Sequence, residues 1–194
     1  MRQLVFLLEE ESAKAMLQGL MPRLFPDAGQ IDVRYLAFEG KQDLDRNITK
    51  YIRGWLNREA AFLVLRDQDR HKDCGEVKRR LVRSCEAAGK RKTRVRLACR
   101  ELEAFYLGDL AAVEVGLGVK GIGRLQDKAK FRDPDRLVNP SAELAKLTKD
   151  RYAKVAGSRA IGQHLHLTDN RSKSHSHLVR AIRELIEVHP AGSG

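Results

Sequence analysis

Four short apolar or alternating runs recur at regular intervals in the first hundred residues, and they restrict the fold more than any other feature. Two of them, LVFLL and AFLVL, are uninterrupted, which is typical of strands that are covered on both faces. The other two alternate apolar with polar residues, which also favours strands. The predicted strands cover residues 4–8, 31–40, 61–65 and 93–99.

Amphipathic stretches separate these runs and predict helices. Ser12 is expected to cap the first helix, and Pro22 is expected to kink or shorten it. A second helix is predicted over residues 43–57, with Trp55 on its apolar side, and a basic helix over residues 75–88. The alternation of strand and helix predicts an α/β protein with a mostly parallel sheet that is flanked by helices.

The alternation stops after about residue 108, and the rest of the chain is predicted to be mainly helical. Helices are expected at residues 141–156 and 175–188, whereas the glycine-rich GLGVKGIGR lacks the Gly-Lys-Ser/Thr ending of a phosphate loop and predicts a flexible turn. We expect a single domain over residues 1–194, with an α/β core at 1–110 and a helical C-terminal extension at 111–190.

Several classes of protein are disfavoured by composition. The opening apolar run has five residues and meets three acids instead of a cleavage site, so it predicts a strand rather than a signal peptide. No stretch approaches the roughly 18 apolar residues of a membrane helix. The three cysteines are an odd number without a close pair, which favours a reducing compartment. We therefore expect a cytoplasmic protein without membrane association.

The net charge of +11 is concentrated in one part of the chain. Residues 78–100 hold ten basic residues and one acid, Glu86, so they are expected to attract polyanions such as DNA or RNA. A solvated helix face is the alternative, and an anionic membrane fits less well because a paired apolar face is missing. The predicted nucleic-acid contacts are Arg79, Arg80, Lys90, Arg91, Lys92 and Arg100.

Acidic residues follow three of the predicted strands. Glu9 and Glu10 follow the first strand, Asp67 and Asp69 the third, and Glu101 and Glu103 the fourth. Because ligands of open α/β sheets bind outside the carboxyl ends of the strands, these acids are expected to converge. Clustered carboxylates suit Mg²⁺ or Mn²⁺. The alternative is that each acid caps a helix or lies in a solvated loop.

Other polar residues give weaker indications. Lys41, beyond the second strand, is expected either to contact a phosphate or to be a solvated loop lysine. Arg66, Arg70 and Arg100 flank the acids, where they are expected to balance the carboxylates, to bind phosphate oxygens or to form local salt bridges. The pairs HLH at 164–166 and HSH at 175–177 lie in polar sequence without nearby cysteines, so zinc is not expected there.

Two stretches, FLLEEES and VLRDQDR, resemble the Toprim pattern of a Glu after the first strand and an Asp-x-Asp after a later one. Toprim domains occur in topoisomerases, primases and overcoming-lysogenization-defect nucleases. More closely, the chain resembles the bacterial family called domain of unknown function 4276. The matching stretches are FLLEEESAKAML, FEGKQDL, LRDQDR, CRELEAFYLGD, FRDPDRL and KVAGSRAI.

The resemblance implies roles for particular residues. Glu9 occupies the first-strand Glu position, Asp67 and Asp69 the Asp-x-Asp positions, and Glu101 and Glu103 a later Glu-x-Glu. Many relatives have Gly where this chain has Glu10, so either Glu9 or Glu10 is the implied ligand. Relatives also often have an acid where this chain has Ala13. The implied catalytic acids are Glu9, Asp67, Asp69, Glu101 and Glu103, and the implied metal ligands are Glu9, Glu10, Asp67, Asp69 and Glu101.

These observations predict a nuclease or phosphodiesterase that depends on Mg²⁺ or Mn²⁺ and acts on nucleic acid. Members of the family are often encoded beside ATPases in gene clusters linked to bacterial defence, which implies an ATPase partner. One alternative is a non-catalytic Toprim-like module that binds nucleic acid or an ATPase. Another is a metal-dependent enzyme for a nucleotide or another small phosphorylated substrate.

Overall fold

A computed structural model describes residues 2–26, 31–69, 73–89 and 92–187. The strands are β1 (Arg2–Leu8), β2 (Ile31–Ala37), β3 (Ala61–Asp67) and β4 (Thr93–Ala98). The helices are α1 (Glu11–Leu24), α2 (Lys41–Gly54), α3 (Cys74–Ala87), α4 (Glu103–Leu107), α5 (Leu110–Leu117), α6 (Pro140–Thr148), α7 (Lys154–Gly162) and α8 (Lys173–Glu187). Between α5 and α6 the chain makes single 3-10 turns at Gly123–Leu125, Ala129–Phe131 and Pro134–Arg136.

The four strands form one parallel sheet in the order β2-β1-β3-β4. The two uninterrupted apolar runs are the central strands β1 and β3, where both faces are covered and every apolar side chain is buried. The alternating runs form the outer strands β2 and β4. The predicted α/β fold with a parallel sheet flanked by helices is therefore confirmed, and the topology is consistent with a Toprim-like arrangement.

Each face of the sheet carries its own hydrophobic cluster. On one face, α2 and α3 cover the sheet through Leu44, Ile48 and Leu81, which are almost completely buried. On the other face, α1 is joined by helices from the second half of the chain, and their shared cluster contains Phe6 of β1 and Leu178 of α8. The C-terminal helices thus complete the core that the first strands begin.

Helices α1 and α7 cross at very short range because glycines lie at the crossing. A Cβ added at Gly19 would lie 2.7 Å from the backbone nitrogen of Gln163. A Cβ added at Gly162 would overlap the carbonyl of Met16. This close approach holds α7 against α1, and both helices begin near the carboxyl edge of the sheet.

Some local predictions were wrong. The single helix predicted over 141–156 is two helices, because Lys149 and Asp150 adopt left-handed backbone angles (φ 52° and 59°) that end α6. Glu10, not Ser12, precedes the first turn of α1, and Pro22 lies within the last turn of that helix. Trp55 follows α2 instead of lying on it.

The glycine-rich segment after α5 is ordered around an internal anion. Gly118 and Gly121 adopt positive φ angles of 62° and 78°, and the backbone N–H of Gly123 donates to the Glu114 carboxylate at 2.8 Å. The loop amides are thereby occupied by a carboxylate of the chain itself. Among the described residues, no helix is long and apolar enough to cross a membrane.

Candidate acidic site at the carboxyl edge of the sheet

The strands β1 and β3 end side by side and bring two acids into direct contact. The backbone N–H of Glu9 donates to the carbonyl of Leu65 at 3.2 Å, which continues the sheet by one residue. The Glu9 carboxylate in turn accepts the backbone N–H of Asp67 at 2.9 Å. The two acids are 58 residues apart in sequence, and the parallel register places them together.

A third carboxylate comes from the first turn of α4. Glu103 is only 2% exposed, and its carboxylate accepts a hydrogen bond from the hydroxyl of Tyr152 at 2.9 Å. The preceding residue, Leu102, donates its backbone N–H to the Asp67 carboxyl. Glu9, Asp67 and Glu103 therefore form one acid cluster, which is the name used below for these three residues.

The electrostatics of the acid cluster disfavour three negative charges. Burial raises the pKa of Asp67 well above its ordinary value, and the neighbouring Glu9 and Glu103 carboxylates raise it further. Burial also raises the pKa of Glu9, although the hydrogen bond from the Asp67 N–H opposes this shift. The pKa of Glu103 is raised by burial as well. Because these raised pKa values reflect the cost of burying negative charge, a bound cation would stabilise the charged carboxylates.

Two further residues connect the acid cluster to the surface. Glu10 accepts from the Ser12 hydroxyl at 2.9 Å and forms an ion pair with Lys154 of α7, with Nζ to Oε2 at 2.7 Å. Desolvation lowers the pKa of Lys154, but the contact with Glu10 and the charges of Glu103 and Asp67 outweigh it and raise the pKa overall. Lys154 is thus a cation held beside three carboxylates.

The loop after β3 has an unusual backbone. Asp69 and Arg100 adopt left-handed φ angles of 56° and 64°, and the Asp69 N–H donates to the Arg100 carbonyl at 2.7 Å. Asparagine and aspartate tolerate this region, but arginine adopts it rarely, and such strain clusters at functional sites. The Asp69 carboxylate pairs with Lys41 at 2.9 Å and contributes to the raised pKa of Glu9.

Glu101 makes its hydrogen bond outside the acid cluster. Its carboxylate accepts the backbone N–H of Ser141 at 2.7 Å, at the start of α6. Glu101 and Glu103 differ because α4 begins at Glu103, so residues two apart no longer share a face. The structure therefore brings together Glu9, Asp67 and Glu103, places Glu10 and Asp69 at their rim, and uses Glu101 to fix α6.

The acid cluster offers carboxylate oxygens, which are the ligands that hard divalent cations prefer. The three carboxylates supply oxygen ligands, and a bound cation would have to displace the protons that their raised pKa values favour. Within the described ranges, however, no three His, Cys, Asp or Glu side chains are already arranged as a ligand set. The carboxylates would have to turn toward a common point to hold Mg²⁺ or Mn²⁺.

The described residues among those predicted to contact nucleic acid lie on different parts of the molecule. Arg79 pairs with Asp73 and Arg80 with Asp45 on the outer side of α3. Lys92 pairs with Glu59 and precedes β4. It therefore lies at the amino ends of the strands, whereas the acids lie at the carboxyl ends. Lys90 and Arg91 lie outside the described residues. Arg100 lies beside Asp69 at the acidic edge.

The other polar candidates have local partners. Arg66 is 6% exposed and pairs with Asp45 at 3.2 Å, whereas Arg70 lies outside the described residues. His166 contacts Asp109 through Nδ1 at 2.8 Å, whereas His175 is fully buried against Phe105. These two histidines lie in separate surroundings.

Lys154 and Tyr152 were not predicted from the sequence as parts of the site. Tyr152 also contacts the Ser158 hydroxyl at 3.0 Å, so a loop and a helix from the C-terminal extension position Glu103. The available signal was KVAGSRAI, which begins with Lys154 and includes Ser158. No chemical pattern links that stretch to the strand ends, because its proximity depends on the α1–α7 crossing.

The fold and the acid cluster define an α/β protein with a parallel sheet and a carboxylate site at its carboxyl edge. The chain belongs to the family described as Domain of unknown function (DUF4276), whose model matches residues 8–185. Neither the curated proteins nor the solved structures contain a match to this chain.

Proposed function

We propose that the protein is a nuclease or phosphodiesterase that uses Mg²⁺ or Mn²⁺ at the acid cluster to hydrolyse nucleic acid. The observation that supports this most is the burial of carboxylates from β1, β3 and α4 close together, where the charges of Glu9 and Glu103 add to the burial that raises the pKa of Asp67. Buried like charges cost stability, so a protein keeps them where a cation is to be bound. The proposal further includes a role in bacterial defence with an ATPase partner, as the family resemblance implies.

The residues have distinct tasks in this proposal. Glu9, Asp67 and Glu103 would hold the metal, and Glu10 or Asp69 would be the additional ligand. When bound, such a metal would activate water and offset negative charge on the phosphodiester. Tyr152 orients Glu103 through its hydroxyl. Lys154 pairs with Glu10 and also lies near Glu103 and Asp67, so it balances part of the carboxylate charge.

The proposal is tested by cleavage of a labelled oligonucleotide with Mn²⁺, with Mg²⁺ and with EDTA. Asp67→Asn keeps the shape of the side chain and removes the charge, so cleavage should fall by at least about 100-fold. Asp169→Asn, an exposed change elsewhere on the surface, should cleave like the parent. Equal cleavage by Asp67→Asn and the parent would show that the acid cluster is not the active site.

A non-catalytic module is the second candidate. Lys154 already neutralises Glu10, and the described carboxylates are not assembled as a ligand set, so the cluster could serve binding alone. This candidate predicts that Mn²⁺ raises the melting temperature of the parent but not of Asp67→Asn, while neither protein cleaves nucleic acid even with an ATPase partner present.

A further inference from the structure

The exposed edge of the sheet carries a second charged feature, which is positive. Strand β4 pairs with β3 on one side and with no described strand on the other. Its Arg94 and Arg96 alternate with the inward-facing Val95 and Leu97, so both arginines lie on the α8 side of the sheet. Side chains two apart on a strand are roughly 6.6 Å apart along it.

Helix α8 adds its own cations to the same place. The Arg96 Nε donates to the carbonyl of His177 at 3.0 Å, so this arginine lies directly under the first turns of α8. Arg180, one turn further along the helix, has a side chain that is 65% exposed. Arg94 approaches Glu184 at 3.5 Å and Arg180 approaches the same carboxylate at 3.7 Å.

Helix α3, on the opposite face of the sheet from α8, supplies another cation. Lys78 is exposed, and within the described ranges it forms no ion pair. The combined effect is visible at His177, whose pKa is lowered by desolvation and then by the charges of Arg180, Arg96 and Lys78, against a weaker opposing effect of Asp135. Three elements therefore bring cations around His177 at one exposed edge of the sheet. We call this surface the β4 edge and define it by Lys78, Arg94, Arg96, His177 and Arg180.

The cations of the β4 edge are poorly compensated. Glu184 is shared by two arginines, and Arg96 is held by carbonyl oxygens rather than by a carboxylate. Desolvation and the neighbouring Arg94 and Arg180 lower the pKa of Arg96, although Glu184 opposes them. Holding several cations beside a single carboxylate is unfavourable, and a polyanion would relieve that cost.

The β4 edge also leads to the acid cluster. Ala98, the last residue of β4, is in register with Asp67, and Arg96 is two residues earlier on the same strand. A chain of phosphates lying along β4 therefore ends within about 10 Å of the proposed reaction site, judged from strand spacing. Among the basic residues expected from sequence, Arg79 pairs with Asp73 at the start of α3, Arg80 pairs with Asp45 of α2, and Lys92 precedes β4 at the amino ends of the strands.

We propose that the β4 edge binds the phosphodiester backbone of nucleic acid and directs it toward the acid cluster. This inference rests on the proposed nucleic-acid function and specifies its binding surface. The contacts are electrostatic and made to phosphates, so binding is independent of base sequence and weakens steeply with salt.

The test measures the affinity of the full chain for a fluorescein-labelled single-stranded 20-mer by anisotropy, in EDTA so that no cleavage occurs. Lys78→Gln combined with Arg180→Gln should weaken binding about 10-fold at low salt. It should also reduce the slope of log affinity against log salt by about 1.4, since each lost phosphate contact to a single strand contributes about 0.7. The control is Lys120→Gln combined with Lys146→Gln, which loses the same charge from exposed positions elsewhere.

Equal weakening in both double variants would overturn the inference, because net charge alone would then explain the effect. An absence of oligonucleotide binding by the parent would also overturn it. So would a Lys78/Arg180 double variant that binds the oligonucleotide like the parent but loses affinity for anionic vesicles of phosphatidylglycerol and phosphatidylcholine. Titration of His177 by NMR gives an independent readout. Its pKa should rise when the oligonucleotide offsets Arg180, Arg96 and Lys78, and an unchanged pKa would contradict contact at this edge.

A phosphodiester substrate without a nucleic-acid chain separates the binding surface from the chemistry. Hydrolysis of bis-p-nitrophenyl phosphate with Mn²⁺ depends on the acid cluster and does not need the β4 edge. If that activity is present while the Lys78/Arg180 variant binds the oligonucleotide normally, the binding surface is wrong and the proposed chemistry stands. If binding follows the β4 edge but no phosphodiester is hydrolysed, the proposed chemistry is wrong.

Discussion

At the scale of single residues, Asp67 is the most informative position because its charge costs stability. The folded protein holds the Asp67 proton more tightly than the unfolded chain does, since burial and the nearby Glu9 and Glu103 raise its pKa. Stability without metal should therefore fall as pH rises from about 4 toward the folded pKa, by about 1.4 kcal/mol for each pH unit in that interval.

Asp67→Asn should reduce this dependence by the contribution of one carboxyl group, since Glu9 and Glu103 keep their raised pKa values. In EDTA at pH 7, the variant should melt at the same temperature as the parent or higher. Mn²⁺ should raise the melting temperature of the parent more than that of the variant. Differential scanning calorimetry with and without metal measures both effects. A variant that melts lower in EDTA would show that Asp67 serves as a stabilising hydrogen-bond partner and not as a ligand.

His175 gives a second prediction, with the opposite dependence on pH. This side chain is fully buried, and neither ring nitrogen has a hydrogen-bond partner in the described part of the chain. Burial lowers its pKa to about 4, with a weaker opposing effect of Asp109. The unfolded chain therefore binds the proton more readily, and stability should fall as pH drops from about 6.5 to 4, by on the order of 3 kcal/mol.

Replacement of His175 by leucine should remove that part of the acid sensitivity. The measurement is the difference in unfolding free energy between parent and variant, from urea titrations at pH 7 and pH 4.5. His164→Gln, at an exposed position, should keep the slope of the parent. Parallel pH profiles for the parent and His175→Leu would exclude a neutral buried histidine.

Part of the acid cluster could be predicted from sequence and part could not. Glu9 and Asp67 each follow an uninterrupted apolar run, and parallel strands end at a common edge, so their proximity follows from the pattern. The different directions of Glu101 and Glu103 could not be predicted, because the distinction depends on the residue at which α4 begins. Tyr152 reaches Glu103 only through the packing of α7.

At the scale of secondary-structure elements, the crossing of α1 and α7 links the C-terminal extension to the acid cluster. Lys154 opens α7 and pairs with Glu10, which directly precedes α1. The helices are so close at Gly19 and Gly162 that no side chain fits between their backbones. Because backbone atoms cannot move as a flexible side chain does, any added Cβ separates the helices.

Gly162→Ala should therefore destabilise the protein by about 3 kcal/mol, at the upper end of the usual cost of overpacking. Gly54→Ala, at the end of α2 and with no atom within 4 Å of the added Cβ, should be neutral or stabilising by about 0.5 kcal/mol. Urea unfolding compares the two variants. If both change stability equally, the effect is one of glycine itself and not of the crossing.

Element boundaries show where local pattern loses its predictive power. The core strands were recognisable because covered strands need continuous apolar sequence. The break between α6 and α7 was not, because Lys149 and Asp150 carry no glycine or proline signal and take left-handed angles in a helical context. Arg94 and Arg96 were recognised as alternating with apolar residues, but their proximity to α8 depends on tertiary packing.

At the scale of the whole molecule, the second half of the chain completes the core of the first half. The cluster on the α1 side contains Leu63 of β3 together with Leu144 of α6, Ile161 of α7 and Leu178 of α8. An extension that buries such residues against the sheet is not expected to unfold alone. The division into core and extension then describes topology and not independent stability.

We therefore predict one cooperative unfolding transition, which two probes of different parts of the molecule can test. Trp55 is the single tryptophan and packs edge-on against Phe62 on the α2 side, away from the extension. Its fluorescence should follow the same urea curve as the far-ultraviolet circular dichroism, to which all helices contribute.

Leu178→Ala sharpens this test because it removes a fully buried side chain of α8, on the opposite face of the sheet from Trp55. The cavity should lower the free energy of unfolding by about 2–5 kcal/mol, and both probes should shift to the same lower urea concentration with an unchanged m-value. Val138→Ala, at a side chain that is 83% exposed, should leave both curves in place. If Leu178→Ala shifts only the circular dichroism and Trp55 fluorescence keeps its midpoint, the extension unfolds as a separate unit. Lys154 and Tyr152 could then leave the acid cluster without loss of the sheet.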